Sequence, residues 1–280
     1  MIQIKNLKVW VAEKEILKGI SINFEIWKNY CLLWKNWSGK STLSSFLMGH
    51  PKYEYISGEV SITIGHPQGV SLHEWWNNNW YNNDNCRHPP CGWDEKFNLL
   101  NLSPEERSKA WLFLSFQNVP EIKGIRLSEY LRTIYNISNP QSLAPAGVGT
   151  RWLSPFIFKR FIKKYLEELH IDERFLDREL NVWFSGWEKR KIEILQMKLI
   201  WPKYIILDEI DSWLDLDAFR TIAQMLKELS NENNSLIIIT HYFKILEYIE
   251  VDKVYVMKDW SIVKEWWKEL IEDIMEKGFK

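Results

Sequence analysis

Residues 30–42, Tyr-Cys-Leu-Leu-Trp-Lys-Asn-Trp-Ser-Gly-Lys-Ser-Thr, decide the fold. Tyr30-Cys-Leu-Leu33 is an apolar run of strand length, and Ser38-Gly39-Lys40-Ser41-Thr42 opens a helix predicted over about 40–48. Backbone N–H groups at a helix N-terminus attract anions. A lysine there neutralises phosphate oxygens, and the hydroxyl beside it suits Mg²⁺. Trp34, Asn36, Trp37, Ser38, Gly39, Lys40, Ser41 and Thr42 therefore make up the candidate phosphate site, with Ser41 as a metal ligand.

Far downstream, Tyr204-Ile-Ile-Leu-Asp-Glu209 is a second buried-type strand, ending in two carboxylates. An acidic pair at a strand end is often only a solvated turn. Coupled to a phosphate loop, Asp208 is expected to hold Mg²⁺ through water and Glu209 to act as general base on an attacking water. Further apolar runs, Leu112–Phe116, Leu236–Thr240 and Val254–Met257, alternate with helical stretches at about 188–199 and 214–229. Apolar strands alternating with helices predict an α/β fold whose mainly parallel sheet is covered on both faces. The first 64 residues are β-rich. Ser103-Pro104-Glu105-Glu106 carries a capping-box helix start, and 127–180 reads as mostly helical. Two loop-like stretches, 65–97 and 139–155, read as surface insertions into a single domain spanning 1–280.

The totals exclude several classes. With 36 basic and 37 acidic residues, bulk charge gives no reason to expect nucleic acid or a bilayer as partner. Three cysteines are too few for a disulfide framework and suit a reducing cytoplasm. The opening MIQIKNLKVW alternates like a strand rather than a signal peptide, and no apolar run approaches the ~18 residues of a membrane span. Cys86-Arg-His88-Pro-Pro-Cys91 is a poor match to structural zinc spacing. Cys31 reads as core, the charged C-terminal helix as a solvated face, and the run 75–85 lacks the basic residues that base stacking requires.

Beyond the phosphate loop and acidic strand, three more segments complete a resemblance. Leu180-Asn-Val-Trp-Phe-Ser-Gly-Trp-Glu-Lys-Arg-Lys-Ile-Glu-Ile-Leu-Gln196 resembles the signature helix of ATP-binding cassette (ABC) ATPases. Leu207–Asp215 resembles their Walker B strand and D-loop, Phe116-Gln117 their Q-loop, and Ile239-Thr-His-Tyr242 their switch strand. The form Ser-Gly-x-Glu-Lys at 185–189, with the Q-loop run Leu114–Ile125, is similar to the SufC family of iron–sulfur cluster assembly; transporter ATPases usually carry Ser-Gly-Gly-Gln. The resemblance implies a P-loop NTPase fold with an N-terminal antiparallel β subdomain and a helical subdomain at about 125–184. It implies ATP and Mg²⁺, with Glu209, His241 and Gln117 catalytic and Ser41, Gln117 and Asp208 on the metal. Ser185, Gly186 and Trp187 would cap the γ-phosphate held by a second copy after ATP-dependent homodimerisation, and Asp215 would cross the dimer interface. SufB-like and SufD-like scaffold proteins would be the partners, with neither nucleic acid nor direct membrane insertion. The ATPase subunit of a membrane transporter is the alternative. Many ABC ATPases stack adenine on an aromatic where this chain has Val11, and SufC-like sequences often lack that aromatic too.

One mismatch is systematic. The chain has 17 Trp and 12 Gly, whereas average usage of ~7% predicts about 20 Gly. Trp34 and Trp37 stand in the phosphate loop, Trp183 and Trp187 flank the signature Ser185-Gly186 with Trp187 at its second glycine, and Trp213 stands at the D-loop glycine; Trp27, Trp260, Trp266 and Trp267 fall at turns. Glycine serves there because it accepts φ > 0 and lets backbone approach phosphate. Most of these positions are therefore expected to be glycine, encoded by UGA in a lineage that reads that codon so. Genuine tryptophans in an inactive ATPase, or an altered sequence, are the alternatives. Trp10, Trp152 and Trp201 are less clear cases.

Overall fold

The computed structural model describes residues 1–34, 40–65, 94–139, 152–210, 215–231, 233–240 and 243–267. The chain runs β1 (Ile2–Val11), β2 (Lys14–Phe24), β3 (Tyr30–Trp34), α1 (Lys40–Leu47), β4 (Glu54–Gly65) and β5 (Asp94–Asn98). It continues α2 (Pro104–Lys109), β6 (Leu112–Ser115), β7 (Ile122–Arg126), α3 (Leu127–Ser138), α4 (Pro155–Glu168) and β8 (Glu179–Leu180). Then come α5 (Gly186–Ile200), β9 (Tyr204–Asp208), α6 (Leu216–Leu229), β10 (Ser235–Thr240), β11 (Lys253–Lys258) and β12 (Ser261–Trp267).

A six-stranded sheet in the order β12-β11-β3-β10-β9-β6 forms the centre. All neighbours in it are parallel except the β11–β12 hairpin. Its strands are apolar on both faces because each faces a different core. Cys31, Leu33, Ile205, Leu207, Leu236 and Ile238 pack into the cluster shared with α3–α6. Their neighbours Tyr30, Leu32, Tyr204, Ile206, Ile237 and Ile239 pack into the cluster shared with α1 and the antiparallel sheet. Two-sided burial is what a mainly parallel sheet requires. Cys31 is indeed core, fully buried.

The second sheet, β2-β1-β4-β5, is antiparallel and alternates buried with exposed residues, best along β2. β1 shifts register against both neighbours between Lys5 and Lys8. Gly58 on β4 lies against that irregularity at φ +109°. A Cβ there would come within 2.6 Å of the Asn6 carbonyl oxygen, so a side chain is excluded.

Helix α2 begins as its sequence predicts: Ser103 accepts from the Glu106 N–H, Glu106 returns the bond to the Ser103 N–H, and Pro104 opens the first turn. α3 and α4 each turn an apolar stripe inward, Leu127, Leu131 and Tyr135 on one and Phe158, Ile162 and Leu166 on the other. α5 is buried without a break from Arg190 to Met197. Where a mostly helical 127–180 was expected, the chain after α4 forms a 3₁₀ turn (Glu173–Asp177) and the short β8, paired with β7. β5 lies at the end of the loop-like 65–97; Asp-Glu-Lys-Phe-Asn has no alternation, and its pairing is supplied by β4.

Candidate nucleotide site

The parallel register collects the separated motifs at one edge of the sheet. Thr240 lies beside Leu33, Asp208 beside Ile239, and Leu207 beside Ser115. The described residues at these strand ends therefore gather at one carboxyl edge: Trp34 of β3, Thr240 of β10, Asp208-Glu209 at the end of β9, and Phe116-Gln117 past β6. Ligands of open α/β sheets bind at that edge.

Asp208 ends β9 with its side chain 3% exposed, and its Oδ2 accepts a hydrogen bond from the Ser44 hydroxyl of α1 at 2.9 Å. The helix that opens at the phosphate loop is thus tied to the first carboxylate. Glu209 follows in a left-handed conformation, φ 50°, with its N–H donating to the Ile239 carbonyl at 2.9 Å. Such a backbone costs a non-glycine residue about 1–3 kcal/mol and is found where geometry serves chemistry. The Glu209 carboxylate accepts from the Gln117 side-chain amide. Two of the expected catalytic residues are thereby in direct contact, 92 residues apart in sequence. Carboxylate, hydroxyl and amide oxygens, the donor types of Asp208, Ser41 and Gln117, are those a hard cation such as Mg²⁺ takes.

Helix α5 begins at Ser185, whose hydroxyl accepts from the Glu188 N–H at 3.2 Å while the Glu188 carboxylate accepts from the Ser185 N–H at 2.7 Å. Glutamate at the fourth signature position is the returning arm of this capping box. Gly186 and Trp187 form the first turn; Trp187 packs on the helical core, and Lys191 Nζ lies 4.7 Å from its ring. A hollow of about 360 Å³ separates this helix start from the Gln117 loop, lined on one side by Gln117, Asn118, Val119 and Glu121. Across the hollow Lys189 pairs with Glu121 at 2.8 Å, and Asn181 donates to the Pro120 carbonyl at 3.0 Å.

Of the other expected residues, Lys40, Ser41 and Thr42 form the first turn of α1, and Trp34 ends β3. Asp215 caps α6, accepting from the Ala218 N–H at 2.8 Å. Asn36, Trp37, Ser38, Gly39, Trp213, His241 and the Cys86–Cys91 stretch lie outside the described residues. Sequence reading missed Arg190, Glu193 and Ser115, which form a buried cluster behind Gln117. No local pattern marks them: α5 also carries charges at 188, 189, 191 and 198, so the burial of Arg190 and Glu193 shows only in the fold.

The backbone at the tryptophans is distinctive. Among the described residues, five of the twelve non-glycine positions with positive φ are Trp: 27, 111, 183, 201 and 260. Left-handed backbone is a genuine outlier for so bulky a residue. Each site is one that glycine usually fills. Trp111 follows the end of α2 and Trp201 ends α5, both at the left-handed helix stop. Asp259-Trp260 is the two-residue turn of the β11–β12 hairpin with both φ positive, where Asp-Gly is favoured. Trp27, Trp183 and Trp201 are also more than half exposed, unusual for tryptophan.

No protein-family model matches the chain. It is 36% identical over 279 residues to the probable ATP-dependent transporter ycf16 of Cyanophora paradoxa, covering 100% of this chain and 93% of that protein. It is 36% identical to the probable ATP-dependent transporter slr0075 of Synechocystis sp., covering 94% of it, and 33% identical to vegetative protein 296 of Bacillus subtilis, covering 90%. The fold matches a nucleotide-free ATP-binding cassette from an ABC transporter with a TM-score of 0.67 at 21% identity, over 99% of this chain and 96% of that one. A dimeric cassette in a post-hydrolysis state with ADP and Pi gives 0.64 at 19% identity, over 95% and 98%. Among the described residues no helix is long and apolar enough to cross a membrane.

Proposed function

Because the chain belongs to the ATP-binding cassette ATPases, enzymes that bind and hydrolyse ATP, we propose that it is a SufC-type ATPase working on a SufB/SufD-like scaffold in cytoplasmic iron–sulfur cluster assembly. One contact carries this reading. The two sequence features that set the SufC family apart from transporter ATPases are the Ser-Gly-x-Glu-Lys form and the Phe-Gln-x-x-Pro-Glu run, and here Lys189 of the first and Glu121 of the second form an ion pair. Two relatives described as probable ATP-dependent transporters supply a second reading, the ATPase of a membrane transporter. Purification of the tagged chain from its own cells separates the two. SufB-like and SufD-like proteins should co-elute; a multi-span membrane protein in their place would sink the first reading.

In the proposed reaction Lys40 and His241 bind the terminal phosphate and Glu209 takes a proton from the attacking water. Gln117 and Asp215 belong to the same machinery, the second at the interface between two copies. Mg²⁺, held by Ser41, Gln117 and, through water, Asp208, would neutralise the phosphate oxygens. Ser185 and Gly186 of one copy would close over the nucleotide of the other.

This chemistry requires glycine at 34, 37 and 187, since a Cβ and indole would occupy the space of the phosphates. We read these positions, and most other tryptophans, as glycine in the living cell. The five left-handed tryptophans support that reading independently of the phosphate loop, because they lie at helix ends and tight turns. Peptide mass spectrometry of the native protein tests it. A tryptic peptide carrying Trp187 would end it and leave an inactive relative of the family.

A further inference from the structure

We infer that Arg190 is a positioning residue for hydrolysis, holding the Gln117 loop to helix α5 so that Gln117 meets Glu209. The inference rests on the proposed ATPase for its kinetic consequence, though not for the geometry.

β6 stops at Ser115, and Phe116 and Gln117 run on past the sheet, both exposed. Their backbone is held by two buried side chains of α5 instead of a neighbouring strand. Arg190, 3% exposed, donates from Nη1 to the Phe116 carbonyl at 2.8 Å and to the Ser115 hydroxyl at 3.0 Å, and from Nη2 to the Gln117 carbonyl at 3.2 Å. The same Nη1 pairs with Glu193 at 2.6 Å. Glu193 also accepts from the Ser115 hydroxyl at 2.9 Å and from the Phe116 backbone N–H. Phe116 is thus gripped on both its N–H and its C=O, as a partner strand would grip it, by one ion pair a turn apart on α5.

A buried ion pair that only added stability would be a poor device, since desolvation offsets most of its attraction. A guanidinium, however, fixes several oxygens in one plane, which an ammonium cannot do. The oxygens fixed here are the carbonyls on either side of the residue whose amide reaches Glu209. Four residues before Arg190 lies Gly186, at the start of α5 and on the hollow. Signature end and Gln117 therefore travel as one rigid piece. When a second copy draws in Ser185 and Gly186, Gln117 is carried with them.

The test compares the full-length chain with Arg190→Lys, which keeps a charge against Glu193 and loses the fork. A second variant, Arg190→Met with Glu193→Met, removes both charges and keeps the volume. Amide hydrogen exchange at 116–119 should quicken about tenfold in Arg190→Lys while the amides of 192–199 stay protected. ATP turnover should fall about tenfold in both variants, with KM for ATP within about twofold. Unchanged exchange in Arg190→Lys, or wild-type kcat in the double variant, would overturn the inference and leave a merely structural pair. If the unsubstituted chain hydrolyses no ATP, the proposed function fails while the exchange arm still judges the clamp.

Discussion

Helix α5 obeys opposite rules at its two ends. Its start is what a designer would write: Ser185 in extended backbone, φ −63° and ψ 162°, with Glu188 returning the bond. Its end is Trp201 at φ 54° and ψ 55°, its indole in solvent, where glycine or asparagine is the usual choice. α2 repeats the asymmetry, from the Ser103–Glu106 box to Trp111 at φ 65°. A chain losing its function would blur both kinds of position alike. Here the caps, the buried strands and the carboxylates are intact, and the faults gather on one residue type at one kind of backbone. Most of the other left-handed residues need no such account: Asn6, Asn181 and Asp259 have short polar side chains that tolerate the region, and Glu209 sits at the site.

The largest way to break this contrast is ATP binding. With glycine at 34, 37 and 187 the chain should bind a fluorescent ATP analogue at least ~100-fold more tightly than with tryptophan there, about 2.7 kcal/mol or more. Equal affinities would mean that the indoles do not intrude. In the glycine form, Glu209→Gln should lower kcat at least ~100-fold and leave nucleotide affinity within about threefold; a mild kcat loss would move the general base elsewhere.

The two helix ends give smaller effects of opposite sign, read by urea denaturation. Ser185→Ala should destabilise by about 1 kcal/mol through loss of the cap. Trp201→Gly should stabilise by ~0.5–1 kcal/mol, relief of left-handed strain exceeding the added chain freedom. Trp27→Gly and Trp183→Gly should behave like Trp201→Gly, because these exposed side chains leave no cavity. Losses at all three would sink the glycine reading of the turns.

The smallest effect concerns pH. Burial lowers the Lys203 ammonium to about 8, and the Trp111 ring lies 3.8 Å from its Nζ. Since the folded value is below the unfolded one, the unfolded chain binds more protons between them. Stability should climb as pH rises from about 8 towards 10.5. Trp111→Gly should uncover the ammonium, return its NMR titration towards 10.5 and flatten that climb. An unmoved titration would assign the burial to other neighbours.

Patterns that live within a few residues were legible: the strand Tyr204–Asp208, the caps at Ser103 and Ser185, the helix after Lys40. So was the α/β scaffold itself, with Asp208 at one strand end and Gln117 just past another. β5 and β7 were not, because neither carries alternation; β7 is exposed along its whole length. Arg190 was missed for a different reason. Arginine on a helix ordinarily points outward, and its partner Ser115 lies 75 residues earlier. Trp111 and the clearer case at Trp201 needed the backbone angle itself, since no motif fixes glycine at the end of an ordinary helix.

The double-faced burial of β9 has a bearing on the acids at its tip. Sliding that strand by one position would send Tyr204 and Ile206 into the helices' side and Ile205 and Leu207 into the other, wrecking both interiors at once. The sheet thus works as a ruler with a single mark. Any copy of this chain that folds has already measured out where Asp208 ends and Glu209 begins, so misalignment of the pair can arise only in the stretch that follows them.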